Sequence, residues 1–424
     1  MNIIGWTKAG SYKYGGIRMD QIINAAARAL AAGDSFGALN RVALRNDAPA
    51  LALRGIAMAQ LGDLAKAKAL LKRAASAFGP QESVARARCL VAEAEIALAS
   101  RDLGWSDKAL HSAKVTLERR GDPVNAAHAR YLEIRKLLLI GRLGDAEQAL
   151  KALNPASLPP SLGAVHHLLA AGIAMRGLKT DQARSAFARA GKAAQAAGIS
   201  PLKAEVENAA HLLEIPAARL LSRGKEKLLR LREVEVLLKS GKLVVDACRY
   251  TVHGPRKIVP LARRPTLFAI ARALAEAWPG DAPRDILMER AFGVKFSDES
   301  FRLRLRVEVV RLRGLLRGLA EVKATERGFA LAPLGARETV VLARPVEEPQ
   351  GAVLAFLEDG ELWSSSALAL ALGSSQRTVQ RSLESLEETG KVQSYGRGRA
   401  KRWVTPPLPG ITSILLLPNQ LPVE

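Results

Sequence analysis

From about residue 20 to 215, apolar residues recur every three or four positions. Short breaks of glycine, aspartate and proline separate the runs. That spacing gathers the apolar side chains on one face of a helix, so the segment reads as helix after helix. The stretches 55–74, 94–113, 135–153 and 171–190 echo one another. Each holds an apolar helix, a turn drawn from leucine, glycine and aspartate, and an alanine-rich second helix. The turns fall near Gly62, Gly104, Gly144 and Lys179. A period of about 35–42 residues is the mark of stacked helical hairpins. Ala57, Ala67 and Ala74 are small enough for paired helices to approach, and Leu61 and Leu70 are expected to fill the groove between hairpins. One hairpin cannot bury its apolar face alone, so about four or five must stack.

The stretch 51–78 resembles a tetratricopeptide repeat. The turn Leu61-Gly62-Asp63 and the alanine after it stand where that family has them, while its large aromatic positions are mostly absent. The resemblance implies a concave face that takes a peptide or a partner domain. A plain helical spacer or a dimerisation arm is the competing expectation.

After Pro216 the pattern changes. Lys225, Lys227, Arg230 and Arg232 read as a basic helical bridge. Leu243, Val244, Val245, Cys248, Tyr250 and Val252 then mark strand, as do 258–261. Helices return at about 265–277, 284–292 and 298–319. A β-like segment follows at 321–331, and Pro345–Pro349 reads as a linker. Strands, three helices and a closing hairpin, in that order, describe a winged helix. At about 100° per residue, Phe301, Leu305, Val309, Leu312, Leu316 and Leu319 fall on the core side of the third helix. Arg302, Arg306, Arg313 and Arg317 share one flank of that face, and Arg304 and Arg311 take the other. Ser297 or Asp298 can cap its start. Solvated helix faces usually mix acids with bases; here only Glu308 interrupts the arginines. Two cationic flanks suit a helix lying in a major groove between phosphates. Leu303, Val307 and Val310 remain on the outer face, either to touch thymine methyls or to be covered by another domain.

The stretch 242–333 is similar to the OmpR-type effector domain of bacterial response regulators. The likeness rests on Pro265-Thr266-Leu267-Phe268, Arg284-Asp285-Ile286-Leu287, Ala291-Phe292-Gly293 and Asp298-Glu299-Ser300. It continues through 306–313, which ends in Arg311-Leu312-Arg313, to a wing closed by Glu326-Arg327-Gly328-Phe329-Ala330-Leu331. It implies duplex DNA binding through the third helix, with Arg327 on the wing. That family normally carries a phosphorylated receiver domain. No acidic-pocket βα repeat stands here, so control by aspartyl phosphorylation is not carried over. Some activators join this module to helical repeats, typically in the reverse order.

Residues 351–404 repeat the theme. Val353–Leu357 starts a helix, Ser365 is expected to cap Ala367–Leu372, and Gly373 to end it in a left-handed turn. Ser375 caps a helix over 376–389 whose Val379, Leu383 and Leu386 face inward. Gln376, Arg377, Gln380 and Arg381 occupy its exposed start. Glutamine and arginine can read adenine and guanine bidentately. Glu384, Glu387 and Glu388 fall toward the far end. After Gly390, a hairpin of 392–395 and 401–405 surrounds 396–403, with Trp403 anchoring it. Lys391, Arg397, Arg399, Lys401 and Arg402 give it five cations, and Gly396 and Gly398 let its backbone turn. The unit resembles the winged helix-turn-helix domains of bacterial transcription regulators, on Thr378-Val379-Gln380-Arg381, Gly390-Lys391-Val392 and Gly396-Arg397-Gly398-Arg399. A winged helix used only for protein contact is the alternative.

Composition narrows the field. Of 424 residues, 48% are hydrophobic and 25% charged, which suits packed domains rather than disorder. Aromatics are 4%, and the apolar mass is mainly alanine and leucine, as helices require. The formal net charge of +22 points to a polyanion, nucleic acid before membrane. Cys89 and Cys248 lie far apart, which excludes a disulfide scaffold. No apolar run reaches about 18 residues, the length of a membrane-spanning helix. The first 20 residues lack a signal-peptide stretch, and Met19 is a second candidate start. Adjacent His166 and His167 point apart on a helix, and no other spacing suggests a metal, a cofactor or a catalytic constellation.

The expected fold is therefore mainly α, an N-terminal α-α helical-hairpin repeat stack followed by two small α+β winged helix-turn-helix domains. The expected units are 20–215, 233–335 and 350–405, with a proline-rich tail over 406–424 whose apolar run is Ile411–Leu417. The expected function is a cytoplasmic, nucleoid-associated, sequence-specific regulator of transcription that is not an enzyme. Its partners would be double-stranded DNA and, through the arm, a signal, a protein partner, RNA polymerase or a second copy, with no membrane and no cofactor. An interaction scaffold with adaptor winged helices competes, as does a plasmid- or replication-type DNA-binding protein.

Overall fold

A computed structural model describes residues 21–404 apart from 32, 101–104, 263, 294–298, 336–337, 346–349, 358–361, 373, 389–391, 397 and 399–400. The described residues divide into two compact units. Residues 178–180 and 211–351 form one, and the rest form the other. The whole is mainly helical, with small sheets confined to the C-terminal half.

The arm is a chain of hairpins. Its helices are α1 (Gln21–Ala31), α2 (Ser35–Val42), α3 (Ala48–Gln60), α4 (Leu64–Ala77), α5 (Ser83–Ala99) and α6 (Asp107–Arg119). They continue as α7 (Pro123–Leu139), α8 (Leu143–Lys151), α9 (Pro160–Arg176), α10 (Thr180–Ala197) and α11 (Ser200–His211). Short side chains start them. Asp34, Asp63 and Asp122 each accept a hydrogen bond from the backbone N–H three residues on, at 2.7, 3.1 and 3.2 Å. Gly62, at φ 88°, makes the sharp reversal between α3 and α4. The corresponding reversal before α8 is at Gly141 rather than Gly144, which lies inside α8. Ala57, Ala67 and Ala74 are fully buried, as close helix approach requires. The groove-filling expectation for Leu61 fails: it caps α3 and is exposed, while Leu71 and Phe78 are buried in that groove. The turn placed near Gly104 lies outside the described residues.

The second unit opens with β1 (Pro216–Ser222) and β2 (Lys225–Arg230), then α12 (Leu231–Lys239). The basic bridge is thus mostly part of the β1–β2 hairpin, with Lys225, Lys227 and Arg230 on β2 and Arg232 alone on a helix. The hairpin turns at Arg223 and Gly224, both at positive φ. The unit continues through β3 (Leu243–Asp246), β4 (Thr251–His253), β5 (Ile258–Pro260), α13 (Pro265–Ala277), β6 (Asp281–Pro283), α14 (Arg284–Phe292), α15 (Glu299–Leu316), β7 (Ala320–Ala324), β8 (Gly328–Pro333) and β9 (Thr339–Ala343). One six-stranded sheet runs β2-β1-β9-β3-β4-β5, and β6-β8-β7 form a second sheet of three. Wholly buried β9 pairs parallel with β3, Val244 opposite Val340, and antiparallel with β1, Leu221 opposite Val341. Both chain ends of the unit meet in this sheet. It therefore extends over 216–343, beyond the 233–335 expected from sequence. Leu305, Val309, Leu312 and Leu316 of α15 sit in one core with Leu267, Phe268 and Leu274 of α13.

The last elements are α16 (Gly351–Leu357), α17 (Ser365–Leu372), α18 (Gln376–Glu388), β10 (Gln393–Tyr395) and β11 (Arg402–Val404). They do not make the separate core that a free-standing domain at 350–405 would have. Buried Leu357, Trp363, Leu383 and Trp403 belong to one apolar cluster with Val91 and Leu98 of α5, Leu117 of α6 and Leu132 of α7. Arm and second winged helix are one compact unit. The tail over 406–424, the apolar run Ile411–Leu417, most of the linker Pro345–Pro349, and the ends of helices assigned to Gly373 and Gly390 lie outside the described residues. Among the described residues no helix is long and apolar enough to cross a membrane.

Candidate nucleic-acid interface

Helix α15 is held by its inner stripe. Leu305, Val309, Leu312 and Leu316 are buried, and the ring of Phe301 lies 5.8 Å from that of Phe292 on α14. Leu319 is buried too, but just past the helix end. The caps assigned to Ser297 and Asp298 lie outside the described residues. Arg302, Arg304, Arg306, Arg311 and Arg313 are all exposed, yet they are not equivalent. Arg313 Nε donates to the Val322 carbonyl at 2.8 Å, which fastens the helix to β7. Its Nε is thus an anchor, on a side chain that remains exposed. Arg311 Nη1 lies 2.8 Å from Glu308, Arg302 Nη1 lies 3.7 Å from Glu299, and the Arg304 guanidinium sits 4.9 Å above the Phe292 ring. Among the described residues no acidic side chain pairs with Arg306. The centre of the outer face is apolar, with Leu303 60%, Val307 45% and Val310 61% exposed.

The first wing is the β7–β8 hairpin, and Arg327 is exposed at its tip. What holds it was not read from sequence. Arg284, at the start of α14, donates from Nη1 to the Glu326 carbonyl (2.6 Å) and from Nη2 to the Thr325 carbonyl (3.0 Å). Thr325 Oγ1 donates to Asp281 Oδ2 at 2.7 Å and accepts from Gly328 N–H at 2.9 Å. At Gly328 a side chain would collide with the Ala282 carbonyl, so the close approach of β8 to β6 requires glycine. The sequence signal for Arg284 was its position directly after Pro283, at a helix start beside a wing.

Helix α18 is presented differently. Ser375 Oγ accepts from Thr378 N–H at 3.2 Å and caps it as expected. Val379, Leu383 and Leu386 are buried. Gln376, Arg377, Gln380 and Arg381 are exposed together on the opposite side of the first two turns, with Ser375 exposed just ahead of them. Gln376 Nε2 donates to Ser365 Oγ at 3.1 Å, which ties the start of α18 to α17. Ser365 is therefore not the cap of α17. Ser364 is, accepting from Ala367 N–H at 3.1 Å. The overlooked anchor is Trp363, fully buried and exchanging both backbone hydrogen bonds with Trp403 at 2.7 Å. A large apolar residue just ahead of a serine cap was its signal in the sequence.

Of the second wing's cations, Lys391, Arg397 and Arg399 lie outside the described residues. Lys401 is half-buried, 3.6 Å from Glu387 Oε2 and 4.1 Å above the Trp403 ring, so its charge is largely answered within the protein. Arg402 is half-buried and donates to the Lys401 carbonyl at 3.2 Å.

In the arm, Tyr131 Oη and His166 Nδ1 lie 3.2 Å apart. Burial, then His167 and Arg189, holds the pKa of His166 down to about 4, so the ring is neutral near pH 7. Among the described residues no group of three or more His, Cys, Asp or Glu side chains could hold a metal ion. Comparison of the chain with protein-family models, with curated proteins and with solved structures finds no match.

Proposed function

We propose that the protein is a sequence-specific DNA-binding regulator of transcription, acting in the cytoplasm on the nucleoid. The observation that carries this reading is the first two turns of α18. Four side chains able to hydrogen-bond base edges stand exposed together there, on a helix whose other side is locked into a core. Arg377 and Arg381 would each take guanine O6 and N7, and Gln376 and Gln380 adenine N6 and N7. Arg302 and Arg306 on one flank of α15, and Arg327 on its wing, would neutralise phosphates and fix register. Two winged helices on one chain raise apparent affinity through effective concentration when both engage one duplex. The repeat arm, the likeness to tetratricopeptide repeats in mind, would take a protein partner, RNA polymerase or a second copy.

The test is a gel shift with random and then selected duplex, titrated with salt. With roughly six to ten phosphates contacted, log affinity should fall against log salt with a slope of about −5 to −9. Binding that ignores salt would contradict the reading.

A further inference from the structure

On the DNA-binding reading just given, we infer that α15 recognises thymine methyl groups, and that the first winged helix selects its site by apolar contact with them. The outer face of α15 carries Leu303, Val307 and Val310 in one stripe, at spacings of four and three. All three are exposed. Gly314 continues the line one turn on, so from 303 to 314 the centre of this face offers no hydrogen-bonding side chain. Exposed arginines border it on both sides, Arg302 and Arg306 on one and Arg304 and Arg311 on the other.

That arrangement fits one occupant. A helix lying in a major groove meets phosphates at its flanks and base edges along its centre. Side chains without donors or acceptors cannot read the polar atoms displayed there. The apolar feature that base pairs present in the major groove is the thymine 5-methyl group. A second copy of the chain suits the face poorly. A two-fold contact across α15 would set its arginine flanks against the same charges on the other copy, which costs free energy in a contact that excludes water. The two readers then differ in kind, with α18 equipped to read by hydrogen bonds and α15 by methyl contact.

The experiment uses the full chain and duplexes that it enriches from a random pool. Affinity is measured for each enriched duplex and for the same duplex with every thymine replaced by deoxyuridine, which removes only the methyl. Loss of one fully covered methyl should weaken binding about fourfold, and loss of two more than tenfold. The variant Leu303→Ala/Val307→Ala/Val310→Ala changes only exposed positions and should bind both duplexes equally. Equal affinity of the unaltered chain for the two duplexes would overturn the inference and leave the DNA-binding reading standing. So would a deoxyuridine penalty that persists in the triple variant, since the methyls would then be read elsewhere. A triple variant that changes sedimentation from dimer to monomer, with its deoxyuridine penalty intact, would make the face a protein contact. Enrichment of no duplex at all would overturn both readings together.

Discussion

The two winged helices share an order of elements but not a foundation. The first rests on a core of its own, where α13 and α15 pack with a sheet that draws in both ends of the unit. The second has no core to itself. Trp363, Leu383 and Trp403 are buried in the same cluster as α5, α6 and α7 of the arm. Their outward faces differ as well. Helix α15 shows aliphatic side chains between arginines, and α18 shows glutamine and arginine. A winged helix is thus a frame whose chemistry lies in a few outward positions. Its stability can be supplied from within or from a neighbouring stack.

Substitutions should separate the two foundations. Trp363→Ala should have the largest effect. Truncating a fully buried tryptophan costs about 3–5 kcal/mol, and here it should lower the melting of arm and second winged helix together. Calorimetry in which the arm's transition stays unmoved would break the shared-core account. Gly328→Ala should be the next largest, at about 1–3 kcal/mol, because its methyl meets the Ala282 carbonyl. Its effect should stay within the sheet-bearing unit, and hydrogen exchange across β6, β7 and β8 would report it.

Smaller effects sharpen the difference between anchor and contact on α15. Arg313→Ala should cost about 1 kcal/mol of stability, through its lost bond to Val322. Arg306→Ala should leave stability alone and reduce the salt slope of DNA binding by about 1. If Arg313→Ala instead changes the slope and not the melting, the two roles are reversed.

The effect of least consequence near neutral pH is acid sensitivity. The folded pKa of His166 lies below its ordinary 6.5, at about 4, so between these values the unfolded chain binds the extra proton. Stability is therefore full above pH 6.5 and falls as pH drops toward 4. His166→Gln should flatten the pH dependence of melting in the arm, and an unchanged slope would contradict the account.

Much of this was legible in the sequence, for a stated reason. Helices α13, α14 and α15 fall close to their expected spans because one stripe of apolar residues per helix marks both the element and its buried face. The inward positions of α15 and α18 follow from the same geometry. What escaped depended on pairing across long distances. The hairpin of β1 and β2 reads as a basic helix until β9, more than a hundred residues on, is there to pair with β1. β9 itself is a short apolar run that lies past the expected end of its domain. Periodicity also says which face is covered without saying by what. Nothing in 351–404 alone indicates that Trp363 and Leu383 lie in a cluster with α5 and α7. On α15 and α18, exposure was legible and engagement was not, whereas the expected exposure of Lys401 and Arg402 on the second wing gives way to half-burial. Arg313 looks like its neighbours in the sequence, and only the Val322 carbonyl sets it apart.

The most direct test of the central claim is selection of duplexes from a random pool by the unaltered chain and by Arg377→Ala/Arg381→Ala. Both side chains are exposed, so the variant should fold normally. Each lost bidentate contact is worth about 1–3 kcal/mol of discrimination. The unaltered chain should enrich a defined sequence, while the variant should bind more weakly and lose the preference at the guanine positions read by α18. Enrichment of the same sequence by the variant would contradict the claim.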